Sequence, residues 1–509
     1  MITSSLDWPA MTTPRPSVGP EVILTRPACP VASSGVQERR HQRNHRRILI
    51  RVSFASRPTG DSAGQASGRR VPVVNERSEE TMHDSQWRRR DLGRLVGAAG
   101  ISALAGGAFG GVSSPRPARS VPPVFQATGL SVAALRSFDD TMESFMKARQ
   151  ISGGQLAVTY QGRLVLARGY SYGTAGALTV RPTSLFRVAS VSKPITAAAL
   201  ALAAGDLLDS PVTSTTSVLS VNPPLGQTRD PRMFQVTLKD LLLHTGGWDR
   251  DISGDPMFKD HEIARAFGAS LPITNNQIIK YMVGRPLDFN PGSRYAYSNY
   301  GYMLAGRAIE DLSGMSYQSY VQRNLFDPLG ITRMRLADTL TPRADEVPYR
   351  SQYTGVTVMD NSGATVPQPY GYFNINNMAA HGGWLASAVD LVRFATLFDS
   401  ANGVLSQANL DRIFAIPRLG TSDGVYYGLG WQVRLVNGGA AGRNTWHNGS
   451  LPGTHSLLVR TYHGMSWAVL FNRRDDASGL SYDAIDPALW NAAGAVTSWP
   501  SHDLFPAHF

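Results

Sequence analysis

Cys29 is the one cysteine among 509 residues, and that scarcity removes several kinds of chemistry at once. The chain beyond it can hold no disulfide, no Cys-based metal site and no thiolate nucleophile. Lysine is missing altogether from residues 1–120, which carry 18 arginines and 9 acidic residues for a net charge of +9. Residues 121–509 are nearly balanced, with 31 basic and 29 acidic side chains. The overall charge of +11 therefore belongs to the N-terminal segment. No basic helix or aromatic-interleaved basic stripe follows it, which argues against a nucleic-acid partner. No internal repeat is present. What the chain does have is 42% hydrophobic residues, enough to bury a sizeable core.

Residues 1–81 are rich in Arg, Pro, Ser and Gly and show no sustained apolar period. Such a segment cannot offset its ordering entropy by burial, so it is expected to be disordered, or not translated if Met82 is the start. Residues 82–120 follow a different pattern. Arg88-Arg89-Arg90-Asp91-Leu92-Gly93-Arg94 precedes an uncharged run from Leu95 to Phe109 dominated by Ala, Gly and Leu. A basic region, a weakly apolar stretch and a small-residue exit at Ala118-Arg119-Ser120 predict a secretory leader. The arginine pair with x-Leu-x-Arg resembles a twin-arginine export signal, from which it departs at Gly93. An uncleaved anchor is the alternative. Export to the periplasm or the outside, with no stable membrane span after cleavage, is the expectation. Residues 121–509 are expected to form the functional domain.

Within that domain Gln155–Tyr160 and Arg163–Tyr170 are rich in Val, Leu and Tyr around Gln161-Gly162, and predict a hairpin. His455–Thr461 and Met465–Phe471 around His463-Gly464 predict a second. Residues 190–208 are helical by composition. Thr237 can cap a helix ended by Gly246-Gly247, and Ser387-Ala388-Val389-Asp390 reads as a capping box opening a helix through Phe398. Tyr482–Val496 predicts a last helix despite Pro487. Strands at both ends with helices between predict an α/β (α+β) fold: an antiparallel sheet covered by helices, with a helical insertion at about 211–375.

Three short motifs carry the chemistry. In Phe186-Arg187-Val188-Ala189-Ser190-Val191-Ser192-Lys193 a helix opening at Ser190 would place Lys193 one turn on, facing the same way. A serine hydroxyl needs an adjacent base, and a desolvated lysine can serve. The helix N-terminus adds N–H groups for a developing oxyanion. Tyr297-Ser298-Asn299 follows 107 positions after Ser190. A phenol beside a lysine can relay the proton, and an amide can hydrogen-bond both lysine and substrate. Trp446-His447-Asn448-Gly449-Ser450 begins shortly before the C-terminal hairpin. Gly449 would let substrate approach a strand edge, and the Ser450 N–H would be the second oxyanion donor beside that of Ser190.

Ser-x-x-Lys, Tyr-x-Asn and His-x-Gly in this order resemble the class C β-lactamase, D,D-peptidase and esterase superfamily of penicillin-binding-protein-like serine hydrolases. Leu241-Leu242-Leu243-His244-Thr245-Gly246-Gly247, Leu325-Phe326-Asp327-Pro328-Leu329-Gly330 and Gly382-Gly383-Trp384-Leu385-Ala386-Ser387 agree with it, over roughly residues 130–475. The resemblance implies an α/β sandwich plus an all-helical lobe, a site in the cleft between them, an acyl-serine intermediate, and no metal or other cofactor. It makes Ser190, Lys193 and Tyr297 catalytic, with Ser450, Asn299, His447 and Gly449 binding substrate or oxyanion. Class C enzymes usually carry Lys where this chain has His447, so recognition of a β-lactam carboxylate is weakened. Esters, D-amino-acid peptides and β-lactams are the candidate small substrates. A catalytically silent penicillin-binding-like sensor or scaffold is the rival, and a transpeptidase a third reading. Two decoys compete. Gly420-Thr421-Ser422-Asp423-Gly424 matches a G-x-S-x-G nucleophile elbow but lies after Pro417 in a turn-like context. His244 and His381 could be imagined as triad bases; the first is expected to be structural, the second a cleft-wall residue.

Overall fold

The computed structural model describes residues 122–509; the export signal expected at 82–120 and the segment 1–81 lie outside the described residues. Eight strands form one antiparallel sheet: β1 Val124–Thr128, β2 Gly153–Tyr160, β3 Arg163–Gly173, β4 Val425–Tyr427, β5 Gln432–Val436, β6 Gly442–Leu451, β7 Thr454–Arg460 and β8 Met465–Phe471. Their order is β1-β3-β2-β8-β7-β6-β5-β4. The two predicted hairpins thus lie side by side, with Val158 opposite Trp467 where β2 meets β8. Gln161 and Gly162 both take positive φ (48° and 77°), the primed-turn geometry that matches strand twist.

Both faces of the sheet are covered, and β8 shows it by alternation. Trp467, Val469 and Phe471 pack with Phe138, Met142 and Phe145 of helix α1 (Arg136–Ala148) and with the C-terminal helix. Ala468 and Leu470 face the opposite, larger core. That core surrounds helix α2 (Ser192–Ala204), which is buried along nearly its whole length. The apolar run Ala189–Asp209 is long enough to cross a membrane by composition, yet 72% of it is buried inside the fold. Further helices include α3 (Leu238–Leu243), α4 (Asn299–Ser313), α5 (Ala388–Ala395) and α6 (Ile485–Gly494). Pro487 falls in the first turn of α6, where its missing N–H has no helical acceptor to lose. Both anticipated caps are present as full capping boxes, Thr237 with Asp240 and Ser387 with Asp390.

Two boundaries differ from the sequence reading. Helix α3 ends at His244 in the left-handed region (φ 61°), before the Gly246-Gly247 pair. The helices of the insertion end near Leu329, rather than extending toward 375. Beyond them come short strands, Arg335–Leu336, Thr354–Val356 and Thr365–Pro367, in a stretch punctuated by Pro342, Pro348, Pro367 and Pro369. Arg335–Leu336 pairs with Trp384–Ala386, which also pairs with Phe186–Arg187 just before the candidate nucleophile.

Candidate active site

The strand Phe186–Arg187 runs into Val188, whose N–H donates to the Trp384 carbonyl at 3.0 Å. Ala189 then adopts φ 46°, uncommon for a residue with a Cβ. This reversal lifts Ser190 out of strand geometry into a tight turn that continues as α2. Lys193 follows one turn later, fully buried. Its Nζ lies 3.0 Å from Ser190 Oγ, 2.8 Å from Asn299 Oδ1 and 3.1 Å from the His381 carbonyl. The Tyr297 hydroxyl donates to the same Ser190 Oγ at 2.9 Å. Five residues from three separate stretches of the sequence therefore meet at one oxygen and one nitrogen.

The partners of Lys193 suit either protonation state, and burial biases the choice. Asn299 Nδ2 donates to Asp255 Oδ2 at 2.7 Å, so its Oδ1 faces the lysine. That oxygen and the His381 carbonyl are acceptors only. A neutral amine has two hydrogens for them and one lone pair left for the Ser190 hydroxyl. Burial drives the ammonium toward this neutral form, well below the usual lysine range; the Arg250 charge pushes the same way and Asp255 opposes it. Burial equally raises Tyr297 above its ordinary value, so the phenol keeps its proton. Ser190 can then donate to Lys193 while accepting from Tyr297.

Sequence reasoning missed Asp255 and Arg250. Asp255 caps the turn Pro256–Phe258 by accepting from Met257 N–H, as Gly-Asp-Pro would suggest for any structural turn. Nothing local announces its bond to Asn299. Arg250 stands 4.8 Å from the centroid of the Tyr297 ring and belongs to no motif.

Facing the serine, Gly449 on β6 sits opposite Ser456 of β7. A Cβ placed there would stand 2.3 Å from the Val188 carbonyl oxygen, 2.3 Å from Ser456 Oγ and 3.1 Å from Ser190 N. Glycine is thus what allows β6 to lie against the nucleophile turn. Gly449→Ala is expected to lower stability by about 1–3 kcal/mol, as overpacking does. Because the clash meets backbone beside Ser190, activity should fall further than stability. Thermal melts paired with ester turnover check this; a variant with native turnover would contradict it.

His447 is buried, with Nδ1 2.6 Å from the Asn448 carbonyl and Nε2 3.0 Å from the Tyr427 hydroxyl. A carbonyl only accepts, so Nδ1 carries a proton, while the Tyr427 hydroxyl can serve Nε2 as donor or acceptor. Ser450 is exposed, its Oγ accepting from Arg474 at 3.2 Å. His244 Nδ1 accepts from Ser298 N–H at 3.0 Å, and its ring packs 4.3 Å from that of Tyr297. It supports the tyrosine and touches no serine hydroxyl. His381 contributes its backbone carbonyl to Lys193. Ser422 lies in a turn closed by reciprocal bonds with Val425, outside any strand-to-helix elbow.

A two-faced antiparallel sheet with a helical insertion, and a serine held between a buried lysine and a tyrosine, define a serine hydrolase. Residues 138–489 match the model of the Beta-lactamase family, and the chain belongs to that family. It is 27% identical over 338 residues to penicillin-binding protein 4* of Bacillus subtilis, covering 62% of this chain and 69% of that one. It is 26% identical over 345 residues to a D-aminopeptidase of Gluconobacter oxydans, covering 66% of this chain but only 59% of the relative. The D-amino acid amidase of Ochrobactrum anthropi SV3 has a similar fold, with a TM-score of 0.54, 21% identity, and coverage of 72% of this chain and 99% of that one.

Proposed function

We propose that the protein is an exported hydrolase that cleaves esters or amides through an acyl-Ser190 intermediate, with D-residue amides and peptides first among natural substrates. The observation that carries this reading is the pair of hydrogen bonds at Ser190 Oγ, one shared with a lysine that burial drives toward its neutral form and one accepted from a protonated tyrosine. Ser190 Oγ attacks the carbonyl carbon as its proton passes to Lys193 Nζ. The oxyanion is held by the N–H groups of Ser190 and Ser450. As the tetrahedral adduct collapses, Tyr297 passes its proton to the leaving nitrogen or oxygen and recovers one from Lys193. Water then attacks the acyl-enzyme by the reverse relay. Asn299 fixes Lys193 and offers its amide to substrate, while Gly449 and His447 line the opposite strand. The relatives named a D-aminopeptidase and a D-amino acid amidase support amides of D-residues as the substrate class. His447, standing where class C enzymes usually carry Lys, favours them over β-lactams.

The test compares kcat/KM for p-nitrophenyl acetate, nitrocefin and a D-Ala-D-Ala peptide on one preparation. Ready ester turnover with slow nitrocefin is expected; nitrocefin turnover of about 10⁶ M⁻¹s⁻¹ or more would make β-lactams the substrate. Covalent labelling of Ser190 with no turnover of any substrate would favour a sensor or scaffold. Export rests on the N-terminal sequence. Protein recovered outside the cytoplasm should begin near Val121, and replacing Arg89 and Arg90 by Lys should retain it inside; a cytosolic chain starting at Met1 or Met82 would refute this.

Asp255 acts as a positioning residue. In Asp255→Asn an oxygen still accepts from Asn299, but the charge that favours the Lys193 ammonium is gone. The acid limb of kcat/KM, where Lys193 becomes protonated and inactive, should therefore move to lower pH. Asp255→Ala frees the Asn299 amide to turn and should lower kcat by roughly 10-fold or more. An acid limb unmoved in Asp255→Asn would deny the carboxylate this role.

A further inference from the structure

We propose that Arg250 anchors an anionic substituent of the substrate, a carboxylate carried on the acyl part or on the leaving group. The inference rests on the acyl-serine reading and adds to it a charge requirement. Arg250 opens the short helix Arg250–Ser253, and its guanidinium lies over Tyr297, whose hydroxyl touches Ser190. Asp249, Asp288 and Asp255 are committed elsewhere, and Asp251 beside it is exposed. Asp249 pairs with Arg294 at 2.7 Å and caps the short helix through Asp251 N–H. Asp288 accepts from Asp249 N–H and from Ser253 Oγ. Asp255 is held by Asn299 and Met257. Among the described residues no carboxylate stands within ion-pair distance of Arg250, and no acceptor takes its N–H groups.

The rest of the site offers little competition for an anion. His447 is engaged by the Tyr427 hydroxyl and the Asn448 carbonyl, and Arg474 on the strand side already donates to Ser450 Oγ. Arg250 is half-buried against an aromatic face, with its planar fork unpaired. A guanidinium in that position matches a carboxylate through two parallel hydrogen bonds and cannot be neutralised by losing a proton.

The test reads ratios on the full chain in two arms. In the first, inhibition of p-nitrophenyl acetate turnover by 3-carboxyphenylboronic acid is compared with that by phenylboronic acid. The Ser190 oxygen adds to boron, its proton passing to Lys193, and the carboxylate sits on the acyl side. In the second, kcat/KM for 3-carboxyphenyl acetate is compared with that for phenyl acetate, placing the carboxylate on the leaving group. Wild type should favour the carboxylate-bearing partner by about 10-fold or more in at least one arm. Arg250→Gln should bring that ratio close to one, and Arg250→Lys should restore part of it. Any effect of Arg250 on Lys193 is shared by both members of a pair and cancels. Thermal melts exclude unfolding, and the lysine variant keeps the charge if the glutamine variant proves unstable. Ratios near one in both arms, a ratio unmoved by Arg250→Gln, or one lost in Arg474→Gln instead would overturn the proposal. If neither boronate inhibits and no ester is turned over, the acyl-serine reading itself fails, a separate result that takes this inference with it.

Discussion

Ser190→Ala is expected to abolish hydrolysis, with a loss on the order of 10⁶ in kcat where turnover can be followed. Labelling by a fluorophosphonate should vanish with it, because no other hydroxyl is both acceptor for Tyr297 and neighbour to the Lys193 lone pair. The far-ultraviolet circular dichroism should not change. The α2 helix is held by apolar burial along its length rather than by the Ser190 hydroxyl. Retained activity would move the chemistry elsewhere, and Ser422 would then need a base that its turn does not supply.

Lys193 and Tyr297 should behave as one proton-transfer unit, since both bond the same oxygen. Lys193→Ala and Tyr297→Phe should each lower the rate by roughly 10²–10⁴, the usual worth of a general base or acid. The double variant should be little worse than the poorer single one. Independent, multiplicative losses would separate the two roles. The pH profile divides them further. The wild-type acid limb reports protonation of Lys193, which burial holds well below the ordinary lysine range, so activity rises as pH rises through that value. Tyr297→Phe should lower the plateau while leaving this limb in place. Lys193→Ala should remove it.

The three motifs were legible because each is a local spacing with a local consequence. Lys193 follows Ser190 by one helical turn, the hairpins are marked by Gln161-Gly162 and His463-Gly464, and two helix starts read directly from Thr237 as a cap and Ser387 as a capping box. The Val, Leu and Tyr content of β2 and β3 and the turn signals between the paired segments marked four of the eight sheet strands. The helical lobe was harder to bound. Its helices end near Leu329 because the stretch beyond is broken by prolines and paired in short strands, and those pairings join residues about fifty and two hundred positions apart.

What the amino-acid sequence determined by itself is the inventory: one serine with a lysine at helical spacing, a tyrosine and asparagine before a second helix, and a glycine on a late strand. Only the tertiary structure decided how these groups are charged and aimed. Lys193 is driven toward its neutral form by full burial, with the Arg250 charge pushing the same way, while Asn299 and the backbone of His381 accept from its nitrogen. His447 is held between the Tyr427 hydroxyl and its own neighbour's carbonyl. Asp255 and Arg250 enter the site from a loop that no motif marks. Protonation depends on desolvation and on charges brought close across the fold, and distance along the chain carries no information about either.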